Sequence, residues 1–569
     1  MRHRVFVVFA LITCPAFAQL ATEQKLLDFQ GLAANFAKRY AFTEWKVDAV
    51  KFDSLNIAPW LDRVRQSASD VEFFEICAEY VAKNQDGHTA FVLPSDFDAY
   101  LPFDVDLYDG KFVIDDIDRR ALPTRLYPFA IGDELVSIDG VSAAELAAKL
   151  SIYVGDGNPR AVQRLAATFL AFRPQWLVPR AAETADTANV VIKRQNGTLA
   201  TYQVSWTKEG NAYTQAGPVP VPKTKQADTQ VPPYLRHVMN FQRFRRAVTA
   251  PRSRQNADGS FSTGVDDLRP VFAMPDGFVQ RLGNGYFDTL FTGTYTSGGK
   301  KIGYMRIPDF EYVSSTDLTN EIKNFEANTD GLVVDIMRNP GGSGCQVEKV
   351  MSYLNPGGFY SIGNKIRATW DLIMALQFDL EDADYYGATA DEIAFIEQFL
   401  TQAQKAFAQN RGFTTPQPLC GTSIAISSAH DKAGNEIAYS KPILVLTDEL
   451  SASAAEIFAA VMQDEGRAML YGFRTDGAGG SVAQVPVGVY MESYLSYAQS
   501  ILTRKRDLDT GGEFPTMPYI ENIGVRPDKV DDYMTLDNLL NQGKPFVDRF
   551  TQAMLDWIGK KSGSAAGVQ

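Results

Sequence analysis

Hydrophobic positions along the chain change period several times, and each change marks a different kind of element. In residues 22–95, Leu26, Leu27, Phe29, Leu32 and Phe36 recur near a 3.6-residue period, which predicts a mostly helical region. A second helix is predicted from Trp60 to Ala82, stopped by the turn cluster Asn84-Gln85-Asp86-Gly87 directly before His88. From 100 to 207 the runs shorten. Asp104–Leu107 and Lys111–Ile114 read as strands joined by the hairpin signal Asp109-Gly110, and Val190–Lys193 and Thr201–Trp206 supply closing strands. Residues 208–265 are rich in Pro, Gln, Ser, Asp and Arg and predict a linker or lid, with a helix around Tyr234–Val248. Beyond them, the strand runs Lys301–Ile307, Gly331–Ile336 and Ile443–Leu446 alternate with helices predicted over Ser315–Asn328 and Ala454–Glu465, the pattern of a largely parallel α/β sheet. Residues 357–439 interrupt that alternation with a helix over Thr389–Ala408, capped by Thr389, and so predict a helical insertion.

The chain's 569 residues exceed one core and, at roughly 100–200 residues per domain, imply three or four units. The expected divisions are a leader at 1–18, a helical N-terminal domain at 19–98, a β-rich module at 99–207, the linker at 208–265, an α/β core at 266–545 with its insertion at 357–439, and a C-terminal helix and tail at 546–569. A net charge of −13 without a basic tract excludes nucleic acid as a partner class. Arg2 and Arg4, the apolar run Val5–Thr13 and Ala16-Phe17-Ala18 form a signal-peptide pattern cut after Ala18, which predicts a periplasmic or secreted protein. Thr13 before Cys14 departs from a lipobox and argues against lipid anchoring. No later run reaches the ~18–20 apolar residues of a membrane span. Cys77 reads as a core residue, while Cys345 and Cys420 lie in loops and are candidates to pair. No zinc-ligand spacing is present and no feature specifies an oligomeric state.

Three segments carry candidate chemistry. Ser453 follows a buried strand and the turn Thr447–Leu450 and opens a helix, whose N-terminus offers unpaired N–H groups and partial positive charge to an oxyanion. A helix N-cap is the competing role for Ser451 or Ser453. His88 stands between a Gly-containing turn and the strand-like Thr89–Val92, beside Asp86. Gly341-Gly342 follows the buried strand ending near Asp335, where backbone must approach a substrate closely.

Within the β-rich module, Ile131-Gly-Asp-Glu-Leu-Val-Ser-Ile-Asp-Gly140 and the helix from Ser142 resemble the signature of PDZ domains, with an insertion at 151–189. Such domains bind extended peptides by strand addition. Gly303–Ile307, Leu332–Gly342, Ser451–Ala459 and Glu521–Asp528, in that order, resemble the C-terminal processing (tail-specific) peptidases and the tricorn protease core. The resemblance implies a multidomain α/β protein whose peptidase core is ClpP/crotonase-like. It implies Ser453 as nucleophile, with Gly341 or Gly342 and the N–H of Ala454 as oxyanion donors. The tail-specific branch takes its base from a lysine in a segment matched here by Thr475–Gly480, where Ala478 stands in the lysine's place. The tricorn-like branch uses a histidine in a segment similar to Asp86–Thr89 and a late glutamate, which map to His88 and Glu521. Tricorn's serine beside the histidine is missing, so the link to Glu521 runs directly, through Thr89 or through water, and Asp86 competes as orienter.

The expected activity is therefore an exported serine endopeptidase acting on polypeptides by a Ser–His–(Glu) acyl-enzyme route, with no metal or organic cofactor. A catalytically degenerate PDZ-bearing scaffold and an esterase built on the same site are the alternatives.

Overall fold

The computed structural model describes residues 19–214, 267–383, 385 and 387–566. The leader, the Tyr234–Val248 helix and nearly all of the expected linker lie outside the described residues.

Four helices open the fold: α1 (Thr22–Lys38), α2 (Thr43–Ala49), α3 (Ala58–Gln66) and α4 (Asp70–Ala82). The single helix expected from Trp60 to Ala82 is two. Ser69 breaks it by accepting the N–H of Glu72 at 3.1 Å, a cap stronger than the continuing apolar period. These helices do not form a separate body. Phe29, Phe36, Phe42 and Tyr80 share one buried cluster with Leu495 and Tyr497 of the late strand Ser493–Ala498 and Ile501 of the strand Ser500–Leu508.

The next unit is an antiparallel sheet in the order Phe103–Tyr108, Lys111–Ile117, Glu134–Ile138, Thr187–Lys193, Leu199–Ser205. Its first hairpin turns on Asp109 (φ 49°) and Gly110 (φ 73°), the two left-handed residues such a two-residue turn requires. Helix α5 (Ala143–Leu150) is capped by Ser142, and the insertion supplies α6 (Pro159–Ala171), which packs along the strand Phe103–Tyr108.

The third unit is built on a seven-stranded sheet among the described residues, in the order Val279–Leu282, Phe291–Ser297, Lys300–Arg306, Gly331–Asp335, Ile443–Thr447, Ala468–Gly472, Lys529–Val530. The last five strands run parallel. Gly331–Asp335 and Ile443–Thr447 are buried at every position, as expected of strands covered on both faces. Helices α7 (Ser315–Asn328), α8 (Gly344–Ser352) and α11 (Ala454–Asp464) face one core cluster, and α12 (Lys544–Ala566) covers the other face with Phe546 and Phe550. The insertion holds α9 (Trp370–Ala383) and α10 (Ala390–Ala408), but it also contributes the strand Gly363–Ile366, paired with Ser500–Leu508. Cys345 and Cys420 are disulfide-bonded, tying α8 to this insertion, and Cys77 is a buried thiol whose pKa burial pushes up.

Candidate active site

Ile443–Thr447 ends in a tight turn that delivers Ser453 to the start of α11. Ser451 and Ser453 are only two residues apart but have unlike roles. Ser451 is fully buried; its hydroxyl donates to the carbonyl of Ile336 at 2.8 Å and accepts the N–H of Asp448 at 3.0 Å, stitching the turn to the neighbouring strand. Ser453 has φ 56° and ψ −118°, a backbone state that costs a non-glycine residue about 1–3 kcal/mol. Its hydroxyl makes no cap hydrogen bond. The capping contact runs the other way: Glu456 Oε2 accepts the Ser453 N–H at 3.1 Å. The strain on this strand-to-helix turn, with the hydroxyl left unused by the helix, sets Ser453 apart from an ordinary N-cap serine.

The Gly341-Gly342 turn lies directly against it. A Cβ on Gly341 would fall 2.6 Å from Ser453 Cβ and 2.9 Å from Ala454 N, and Gly341 has φ 106°, so only glycine fits there. The sequence offered either glycine as an oxyanion donor, but the Gly341 N–H already donates to Asn339 Oδ1 at 2.8 Å. Of the two glycines, Gly342 is left as the candidate donor, together with Ala454, whose N lies 2.9 Å from where a Cβ on Gly341 would fall.

His88 is fully buried in the turn after α4. Its N–H donates to Asp86 Oδ1 at 2.8 Å, and its carbonyl accepts the Ser496 hydroxyl at 2.9 Å. Thr89 gives its hydroxyl to Asp86 Oδ2 at 2.6 Å. Asp86 thus shapes the turn through the backbone of His88 and the side chain of Thr89.

The segment Thr475–Gly480 brings these parts together. The N–H groups of Gly477 and Ala478 donate to Glu456 at 2.7 Å each, joining the segment to the carboxylate that holds Ser453. Gly479 donates to Glu521 Oε2 at 2.9 Å. On the histidine side, a Cβ on Gly87 would lie 3.3 Å from Ala478 Cβ and 2.7 Å from Asp476 Oδ2. Ala478 is fully buried, so the position of the family lysine is filled by a methyl group packed against the His88 turn. Burial, with the charge of Asp476 adding to it, pushes the Glu456 carboxyl up to about 7. Burial and then Asp86 raise that of Glu521, opposed by Lys46.

Lys46 is the residue that reading the sequence missed. Its fully buried ammonium bonds Glu521 Oε1 and also reaches Asn522 Oδ1 at 2.7 Å and the Gln85 carbonyl at 2.9 Å. In sequence it is one lysine of a short helix, and nothing in its neighbours marks it as buried.

Residues 301–529 match peptidase family S41, and residues 98–215 match a PDZ domain. The core belongs to peptidase family S41. The chain is a serine-type peptidase that carries a PDZ domain ahead of its S41 core. It is similar to a protein of Chlamydia trachomatis serovar D, 24% identical over 95% of this chain and 94% of that one. Over a shorter stretch, 41% of this chain and 39% of the relative, it is 24% identical to a carboxyl-terminal-processing protease of Picosynechococcus. The fold is that of mature CPAF, with a TM-score of 0.72 at 21% identity over 95% of this chain and 98% of that one. The complex of mature CPAF with lactacystin gives 0.71 over 95% and 99%.

Proposed function

We propose that the S41 core cleaves peptide bonds by acyl transfer. Ser453 is the nucleophile, His88 the general base, Glu521 the group that orients it, and the N–H groups of Gly342 and Ala454 the oxyanion donors. The observation that carries the reading is the Ser453 turn: a left-handed, strained serine whose hydroxyl leaves helix capping to Glu456, with glycine backbone packed onto it. Ala478 rules out a lysine base at that position and leaves the histidine turn as its neighbour. Substrates are polypeptides. A cleft of about 640 Å³ between α5, α6 and the Asp109-Gly110 hairpin, walled by Leu107, Phe112, Ala147 and Val162, opens beside Gln85 and suits an extended apolar segment. We further propose export. The leader pattern and the Cys345–Cys420 disulfide both fit an oxidising compartment.

The test is covalent labelling with a serine-reactive phosphonate. Wild type is expected to label at Ser453, and both Ser453→Ala and His88→Ala to lose labelling while remaining folded. Labelling that persists in Ser453→Ala would overturn the assignment. A folded wild type that never labels and cleaves no peptide would favour the scaffold.

A further inference from the structure

The relay of Ser453, His88 and Glu521 joins segments far apart in the chain, and one cation sits where two of them meet. Helix α2 lowers Lys46 into the core until both its side chain and that of Glu521 are fully buried. The ammonium has three N–H donors, and Glu521, Asn522 and the carbonyl of Gln85 provide three acceptors. Gln85 belongs to the turn that carries His88. Asn522 closes the same triangle, donating to the Gln85 carbonyl at 2.7 Å while its Oδ1 also accepts the indole N–H of Trp45 at 2.9 Å. Asn522 (φ 61°) and Gln85 (φ 48°) both hold left-handed backbone conformations at this junction. The other oxygen of Glu521 bonds Gly479, and the backbone N–H of Asn522 bonds the Gly477 carbonyl, so the Ala478 segment is fixed to the same frame.

We propose that Lys46 is a positioning residue of the peptidase site: it locks Glu521 to the His88 turn and balances the charge of the carboxylates gathered there. The proposal rests on the reading of Ser453, His88 and Glu521 given above. The titratable groups around Glu521 are Lys46 on α2, Tyr40 just before it and Asp86 in the turn, and, beyond the turn, Asp476 in the segment against Gly87. Burial and then the carboxylates of Asp86 and Glu521 drive the Tyr40 phenol well above its ordinary value, so Tyr40 contributes no negative charge. Without Lys46, Glu521 and Asp86 would share a dry pocket, and Glu521 would hold a proton to higher pH. A glutamate that is protonated cannot stabilise the imidazolium formed when His88 takes the serine proton.

The experiment measures the second-order rate of phosphonate labelling of Ser453 against pH in the full chain. Lys46→Met is expected to slow labelling about 100-fold at neutral pH and to move the acidic limb up by at least one pH unit. Lys46→Arg should restore the limb to near its wild-type position. In a Glu521→Gln background, adding Lys46→Met should change the rate less than about threefold, because the charge that Lys46 balances is already gone. That neutral pair also covers the case in which Lys46→Met alone does not fold. An unmoved acidic limb in folded Lys46→Met, or an equal loss in both backgrounds, would overturn the proposal and leave Lys46 as scaffolding. Wild-type labelling rates in His88→Ala or Glu521→Gln would instead overturn the underlying catalytic reading.

Discussion

The N-terminal helices and the PDZ domain both pack on the S41 core, but through different physics. The helices meet it through an apolar seam, where Phe36, Phe42 and Trp45 share one cluster with Leu495, Tyr497 and Ile501, and the Lys46–Glu521 pair is buried within it. The PDZ domain meets the core largely through charge. Arg164 on α6 is fork-bonded to Asp106 of the PDZ sheet and donates to Glu449 at 3.2 Å. Arg160 pairs with Glu449 at 2.9 Å and with Asp532, and lies 4.4 Å over the ring of Phe473. The apolar contribution there is smaller, from Tyr108 and Val113 beside Tyr533 and Met534. Apolar burial scales with area and survives the loss of one contact, whereas a buried ion cluster fails when one partner is removed. The turn bearing the candidate base is therefore fixed by the robust seam. The PDZ domain is held by the brittle one, on the Asp448-Glu449 turn that leads into Ser453.

Removing His88 tests the first seam most severely. His88→Ala is expected to lower kcat by about 10³-fold or more, with the melting temperature little changed, since Trp45, Phe42 and the apolar cluster remain. Replacing Arg164 should give the opposite signature. Arg164→Met leaves Asp106 buried without its cation and Glu449 with Arg160 alone, and is expected to cost about 3–5 kcal/mol in denaturant unfolding, while kcat of the folded fraction falls less than tenfold. A 10³-fold loss of kcat in folded Arg164→Met would erase the distinction, making the ionic seam part of the chemistry.

Much of this was legible in the sequence, and the parts that were not share a cause. The strands Gly331–Asp335 and Ile443–Thr447, the Asp109-Gly110 hairpin and the Thr389 cap announce themselves through local pattern. Ser453 stood out as the candidate nucleophile only once the glycine turn and the late glutamate segment were set beside it. The break at Ser67–Ser69 was missed because a capping serine outweighed a continuing apolar period. Gly341 looked like an oxyanion donor because a sequence does not show that Asn339 takes its N–H. Lys46, Arg164 and Arg160 were invisible for a related reason: each has partners hundreds of residues away or in another domain, and a buried cation reads in sequence like any surface cation.

Ala478 tests how tightly the first seam is packed. If the tail-specific dyad were merely missing its lysine, Ala478→Lys would restore a base. The packing argues otherwise. Ala478 is fully buried, and a single methyl group added at Gly87 would already come within 3.3 Å of its Cβ. A lysine there must displace the His88 turn or bury an ammonium near Glu456 and Asp476. The expected result is a loss of about 3 kcal/mol and of at least 100-fold in kcat, with no rescue of His88→Ala in the double variant. Rescue would mean that the turn yields, and that the apolar seam is looser than its contacts suggest.

Any pH reading of these seams needs a carboxylate that belongs to neither, and Glu348 on α8 is one. It is 4% exposed, the Ser361 hydroxyl is its polar neighbour, and burial pushes its carboxyl up to about 7. Between the ordinary value of 4.5 and about 7 the folded chain holds this proton more tightly than the unfolded chain does. Its contribution to stability is therefore full below about 4.5 and is lost as pH rises through about 7, on the order of 2–3 kcal/mol. Glu348→Gln should flatten that part of the stability–pH curve measured by urea unfolding and leave the pH profile of phosphonate labelling where it was. If the labelling profile moves as well, α8, which starts at the Gly341-Gly342 turn and is disulfide-bonded through Cys345 to the insertion, transmits charge to the serine, and the site has a third seam.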